Sequence, residues 1–306
     1  MSSDTPIWRS MLFVPAHIQK FVERAHTRGA DAYILDLEDS VPVREKASAR
    51  QQLEVSVPLV RQGGAAALIR INAQPEQWEA DLSAACLAGV SAIVLPKVNA
   101  PVDVASVATR LDALEQTRGL VAGSVRVIAQ IEHVTALTRL DEIARSAPRL
   151  LGMILGSEDF SASAGMDPIP QTLFLPNQLI VFACLRAGIL PFGFPASIAD
   201  YTELDAFRSH IRLARRMGLV GAFCIHPSQV EILNQEFLPS SADIEAARGV
   251  IAAFDAGTRA GKGATSYRGQ MIDPPVVARA YEVLRRAEGH RQRPLSSVGD
   301  LPDEMT

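Results

Sequence analysis

The sequence predicts an α/β fold, a (β/α)8 TIM barrel followed by a C-terminal helical extension, and three observations lead there. Short runs rich in Val, Ile, Leu and Ala alternate with stretches of helical period along most of the 306 residues. These runs are almost continuously apolar, as strands covered on both faces are. No GxGxxG follows the first of them, which disfavours an open dinucleotide-binding sheet.

Strands are expected near residues 10–15, 31–38, 66–72, 92–97, 125–132, 151–158, 190–196 and 221–226, each with a helical stretch after it. Eight consecutive βα units are the number that closes a barrel. Residues 1–240 are therefore assigned to the barrel. Helical period returns over about 242–256 and 275–288, so 241–290 reads as an extension, and the polar stretch 291–306 as a flexible tail.

Composition narrows the function classes. With 48% hydrophobic residues and a net charge of −4, the chain suits a globular enzyme and lacks the basic footprint of a nucleic-acid binder. The opening MSSDTPIWRS has no basic region leading into an apolar one, so a cytoplasmic location is expected. The most apolar window, Leu179 to Ala196, contains Arg186, Gly188, Pro191, Gly193 and Pro195, which breaks any membrane span. Cys86, Cys184 and Cys224 show no metal-ligand spacing and read as buried, reduced thiols. GTRAGKG at 257–263 is one residue short of a P-loop and lacks Ser or Thr after Lys262, so it reads as a connector.

Barrels of this kind place their chemistry at the C-terminal ends of the strands. Strand two is expected to end there in Asp36, Glu38 and Asp39, strand three in Arg70 and Asn72, and strand four in Lys97. Strand five closes on Gln130 and Glu132, strand six on Ser157, Glu158 and Asp159, and strand eight on His226. Glu132 and Asp159 close adjacent strands, whose backbones lie roughly 4.8 Å apart. Two inward carboxylates at that spacing suit Mg2+, which commonly takes one or two carboxylates and leaves its other positions to water and substrate. On a continuing strand Glu158 would face away from Asp159.

Arg70, across the mouth, reads either as a structural partner of Glu38 or Asp39 or, the stronger reading, as the group for bidentate recognition of a substrate carboxylate and stabilisation of an enolate oxygen. His226, in Ile225-His226-Pro227, reads as a turn or capping residue in preference to a base. Lys97 is open between a salt bridge and a substrate contact. Asp273, before Pro274 and Pro275, has the position of a helix N-cap.

The ordered motifs SMLFVPA, ILDLEDSVP, LIRIN, VLPKV, AQIEH, LGSEDFSASAG, CIHPSQ and MIDPP resemble the citrate lyase beta-subunit-like family of the HpcH/HpaI aldolase superfamily, over roughly residues 9 to 287. The resemblance implies a barrel of the phosphoenolpyruvate/pyruvate type. It further implies a homotrimer and a Mg2+-dependent lyase that cleaves or condenses β-hydroxyacyl thioesters such as citryl, malyl or citramalyl, on CoA or an acyl carrier, giving an acetyl thioester and a 2-oxo acid. Carried over by motif, Glu132 and Asp159 become metal ligands and Arg70 a catalytic, substrate-binding arginine. Asp36, Glu38, Asp39 and Lys46 become further substrate contacts. Asp273 becomes a proton-transfer residue lent to a neighbouring subunit.

Two departures bear on substrate range. An Asp-Gly pair common just after strand seven is replaced by Pro195-Ala196, and where many members have Gly-Lys before the strand-eight Ile-His-Pro this chain has Gly221-Ala222-Phe223-Cys224. A thioesterase using the same metal, and a non-catalytic subunit of a multi-component lyase, are the competing readings.

Overall fold

The apolar runs form the strands that the alternation predicts. In the computed structural model these are β1 (Ser10–Pro15), β2 (Ala32–Asp36), β3 (Ala66–Arg70), β4 (Val90–Leu95), β5 (Arg126–Ile131), β6 (Leu150–Leu155), β7 (Leu190–Phe192) and β8 (Ala222–Cys224). They pair in the order β7-β6-β5-β4-β3-β2-β1-β8, all in parallel. Between β7 and β8 two backbone hydrogen bonds bridge the seam, Val220 N–H to Pro191 O at 3.0 Å and Gly193 N–H to Gly221 O at 2.8 Å. The result is a nearly closed (β/α)8 barrel.

The structure describes residues 8–259 and 265–291. The expected leaderless N-terminus, the tail of 292–306 and most of the Gly-rich connector therefore lie outside the described residues. The connector's first residues, Gly257 to Arg259, end a helix.

Around the strands run α1 (Gln19–Ala25), α2 (Lys46–Val60), α3 (Pro75–Ala85), α4 (Pro101–Arg118), α5 (Leu140–Ala144), α6 (Ser157–Ala164), α7 (Pro170–Ala187), α8 (Leu204–Met217) and α9 (Pro227–Glu236). Proline opens α3, α4, α7 and α9, where its missing N–H costs no helical hydrogen bond. Alternate strand residues supply two cores. Met11, Ile34, Leu68, Val94, Ile128, Ile154, Phe192 and Phe223 fill the barrel interior, while Leu12, Tyr33, Leu35, Ile69, Ile93 and Met153 pack outward with helix residues.

Six of the eight strands are shorter than expected, by two to four residues; β1 has the expected bounds and β4 the expected length, two residues earlier. The polar residues read as strand termini mostly lie just past the ladder, because the chain leaves the sheet where the apolar run stops. All three cysteines are free and buried, with burial pushing the Cys184 thiol up to about 12. No described helix is long and apolar enough to cross a membrane.

At the opposite, N-terminal end of the strands, Glu115 of α4 is 1% exposed and accepts hydrogen bonds from Gly123 N–H, Val125 N–H and Arg149. Burial works to raise its carboxyl, but Arg149 and the two backbone donors hold it down at about 2. Its folded value lies below the ordinary 4.5. Its stabilisation is therefore complete above that range and is lost as pH falls toward 2. Glu115→Gln should remove this segment of the acid-unfolding curve, measured by circular dichroism between pH 5 and 2 against the parent chain.

A second unit begins at Leu238. It contains α10 (Ser241–Arg259), a hairpin of β9 (Thr265–Tyr267) and β10 (Gln270–Ile272), and α11 (Pro274–Arg291). The helices match the expected extension. The hairpin was missed, although Arg268-Gly269, with φ of 52° and 79°, has the left-handed pair that a two-residue hairpin turn needs.

Candidate active site

The barrel interior passes from apolar to charged along single strand faces. Ile34 is followed two residues later by Asp36, Leu68 by Arg70, and Ile128 by Gln130 and then Glu132. Asp36 and Arg70 are register partners on neighbouring strands. Arg70 Nε donates to Asp36 Oδ1 at 2.6 Å and Nη2 donates to Oδ2 at 2.7 Å, a bidentate pair. Its Nη1 lies 3.2 Å from Glu38 Oε2 and 3.8 Å from Asp39 Oδ2. The guanidinium carbon sits 4.6 Å above the centre of the Phe13 ring. Burial works to raise the Asp36 carboxyl, but Arg70, Ser40 and the Glu38 N–H hold it below the usual range.

Asp36 thus serves Arg70 and the loop after β2. It accepts from Glu38 N–H at 3.0 Å, Ser40 N–H at 3.2 Å and Ser40 Oγ at 2.5 Å. Lys46 underpins the same loop, its Nζ donating to Leu37 O, Glu38 O and Asn72 Oδ1 at 2.9, 2.8 and 2.6 Å. Its three donors are therefore used within the protein. Glu38 is 2% exposed and, like Lys46, is not part of the cavity lining. By resemblance Glu38 and Lys46 are expected among the mouth contacts; in the structure Glu38 reaches Arg70 and Lys97, and Lys46 ties down the loop after β2. Asp39, by contrast, lines the cavity.

Glu132 is 4% exposed. Its Oε1 accepts from Gln130 Nε2 at 2.6 Å and its Oε2 from the Lys97 backbone N–H at 2.7 Å. Lys97 holds a φ of 55°, which turns that N–H to the carboxylate, and its Nζ donates to Glu38 Oε1 at 3.0 Å. Of the two readings of Lys97, the salt bridge is present. Burial, followed by the charges of Glu38 and Asp159, pushes the Glu132 carboxyl up to about 8, against the Lys97 N–H.

Gly156 is packed tightly on this carboxylate. A Cβ there would lie 2.6 Å from Glu132 Cγ and 2.9 Å from Gln130 Nε2. Gly156→Ala is therefore expected to displace Glu132 and lower turnover by roughly 100-fold, an effect of small misplacement. Steady-state kinetics beside a thermal melt would test it; unchanged kcat would show that Glu132 tolerates the shift.

Glu158 and Asp159 do not continue β6. They lie in the first turn of α6, so opposite-face alternation does not apply, and both line the cavity. Glu158 Oε1 accepts from Ser197 Oγ at 2.7 Å and Ser157 Oγ at 3.2 Å, tying the segment after β7 to α6. Asp159 is exposed, and no hydrogen bond among the described residues engages it. His226 is the N-cap of α9, its Nδ1 accepting the Ser228 N–H at 3.3 Å, as the sequence favoured. In the second unit Asp273 Oδ1 accepts the Val276 N–H at 3.1 Å, the N-cap geometry.

The cavity these residues enclose measures about 310 Å3. Asp36, Asp39, Glu132, Glu158 and Asp159 line it against a single guanidinium, Arg70. This excess of negative charge suits a divalent cation. The buried Oε1 of Gln130, a lining residue, also lacks a hydrogen-bond partner. Among the described residues no group of three or more His, Cys, Asp and Glu forms a complete protein cage. A Mg2+ site, which keeps waters and substrate oxygens, fits two carboxylates; a structural zinc site does not. Gln130, Gly156, Phe13 and the Glu158–Ser197 link were not assigned roles from sequence. Parity with Ile128 would have pointed to Gln130; the others depend on contacts between residues far apart in sequence, from different strands.

Comparison with known proteins gives the chain its family. The citrate lyase subunit beta of Escherichia coli (strain K12) is 33% identical over 285 residues, covering 92% of this chain and 93% of that protein. The L-malyl-CoA/beta-methylmalyl-CoA lyase of Cereibacter sphaeroides (strain ATCC 17029 / ATH 2.4.9) is 32% identical over 304 residues, covering 92% and 94%. Among solved structures, the CitE protein of Mycobacterium tuberculosis in complex with magnesium, acetoacetate and coenzyme A superposes with a TM-score of 0.73 at 27% identity, covering 94% of this chain and 100% of that one. Residues 9–227, nearly the whole barrel, match the HpcH/HpaI aldolase/citrate lyase family, and the chain belongs to it.

Proposed function

We propose that this chain is a magnesium-dependent carbon–carbon lyase acting on a β-hydroxyacyl thioester such as a malyl, citramalyl or citryl thioester. The observation that carries the reading is the gathering of Glu132, Asp159 and Arg70 around one acid-rich cavity. The magnesium in the Mycobacterium tuberculosis relative and the lyase names of the curated relatives support it.

Glu132 and Asp159 would hold the Mg2+. When bound, the ion supplies positive charge to the substrate's carboxylate and hydroxyl oxygens and lowers the cost of turning that carbinol into a ketone. Arg70 keeps donors beyond the two given to Asp36, and these bind the substrate carboxylate. Asp36, in turn, fixes the plane of the guanidinium, and Phe13 supports its face. In the reaction the hydroxyl proton leaves, the bond between the carbinol carbon and the adjacent CH2 breaks, and its electron pair passes to the thioester enolate. A proton delivered to that carbon completes the acetyl thioester, leaving a 2-oxo acid.

Asp273 is our candidate for the proton carrier, lent to a neighbouring subunit of a homotrimer; the same reading makes the protein cytoplasmic. Incubation of the purified chain with malyl-, citramalyl- and citryl-CoA, with and without Mg2+, should give acetyl-CoA and a 2-oxo acid only with the metal, identified by mass. Free CoA without acetyl-CoA would replace the lyase with a thioesterase, and no turnover of any ester would leave a non-catalytic subunit.

A further inference from the structure

The end of the barrel opposite the mouth holds a second cavity, of about 320 Å3 against about 310 Å3 at the mouth. It lies where α4, the loop after it, the start of β5 and the approach to β6 come together. Ala108, Ala122 and Pro148 give it apolar walls, and Asp112, Arg126 and Arg149 its charge.

The two arginines are used differently. Arg149, 5% exposed, donates to Asp112 Oδ1, to both carboxylate oxygens of Glu115 and to Val125 O, so it takes up both nearby acids. Arg126 opens β5 and is left with no carboxylate partner among the described residues. Its one hydrogen bond, from Nη2 to Pro148 O, is 3.5 Å long, at the limit of such bonds, and its Nε is buried with no partner. A guanidinium stays charged and has five donors. Burying such a donor without an acceptor is unfavourable, and an anion beside it removes that cost.

We propose that this cavity binds a small monocarboxylate, its oxygens taken by the Arg126 guanidinium and its short apolar chain lying on Ala108, Ala122 and Pro148. Three features select that class. The planar fork of arginine matches the two oxygens of a carboxylate. Apolar walls with a convergent charged group suit a small organic molecule better than a bare inorganic ion. The Asp112 carboxylate on the same lining repels further negative charge, so a dianion such as hydrogen phosphate is disfavoured. The cavity lies at the N-terminal ends of the strands and the mouth at their C-terminal ends, so a carboxylate held here leaves Arg70 free. Its binding does not depend on the lyase chemistry.

Butyrate is the probe, added to the full chain carrying isotope-labelled alanine methyl groups. It should shift the Ala108 and Ala122 methyl resonances with a millimolar Kd, as expected for a ligand of this size. Arg70 also attracts carboxylates, so the readout is taken at these two alanines and not from the total heat of binding. Butyramide, of the same shape without the charge, should give no saturable shift, and inorganic phosphate should bind at least about fivefold more weakly than butyrate. Arg126→Gln removes the cation and should weaken butyrate by about tenfold or more. Ala122→Glu, at an exposed position of the loop, offers Arg126 a carboxylate from the chain itself and should block the Ala108 shift. Thermal melts establish that each variant is folded. Absence of a shift at both alanines in the parent chain would overturn the proposal, as would unchanged butyrate affinity in either folded variant. Butyramide matching butyrate, or phosphate binding more tightly than butyrate, would overturn it equally.

Discussion

Glu132→Gln is expected to lower kcat by at least about a thousandfold and yet to fold as stably as the parent chain. The loss of activity follows from removing one of two carboxylates proposed to hold the metal. The stability follows from the surroundings. Burial and the nearby Glu38 and Asp159 charges already press the Glu132 carboxyl toward its neutral form, so an amide relieves repulsion. The amide oxygen can accept the Lys97 N–H, and Gln130, whose Oε1 is buried without a partner, can turn to accept the new NH2. Asp159→Asn should abolish turnover similarly, again with little change in stability because Asp159 is exposed. Thermal melts provide the independent readout. Mg2+ at 100 times its Kd should stabilise the parent chain by about 2.7 kcal/mol and neither variant. Retention of both turnover and the Mg2+-dependent shift in either variant would remove that residue from the metal site.

Arg70→Met is expected to cost activity and stability together. It leaves Asp36, 1% exposed, and Glu38, 2% exposed, without their shared cation. Breaking a buried pair from one side costs about 3–5 kcal/mol, which urea denaturation would resolve. Lysine should not restore turnover at this position. An ammonium cannot grip both Asp36 oxygens in the plane of a fork and still present donors to a substrate carboxylate, nor stack flat on Phe13. Arg70→Lys is therefore expected to recover part of the stability but to leave kcat/KM down by about 100-fold or more. Near-normal kinetics with lysine would mean that charge alone suffices and would sink the bidentate assignment.

The division between these two sites illustrates how far the chain can be read without coordinates. Asp36, Arg70, Gln130 and Glu132 were legible as a group because they continue the two-residue parity of inward apolar positions, and parity is a local property. Asp159 was legible as a residue but not in its setting. A strand rule was applied where α6 had already begun, since Ser157, Glu158 and Asp159 are as suitable for a helix's first turn as for a strand's end. Lys46 and Glu38 carry the charge of contact residues, and their partners, Leu37 O and Asn72 for the one, Arg70 and Lys97 for the other, are set by the fold.

What the amino-acid order determined by itself is the eightfold alternation, the apolar filling of the barrel, the helical extension and the inward placement of the acids near one end. Spacing along a chain controls these directly, through the two-residue repeat of strands and the 3.6-residue repeat of helices. Tertiary structure alone decided which acid each cation serves, the left-handed turn at Lys97 that aims an N–H at Glu132, the close fit of Gly156 and the Phe13 ring beneath Arg70. Each of these joins residues from different strands. Barrel closure sets such distances, and no local periodicity encodes them.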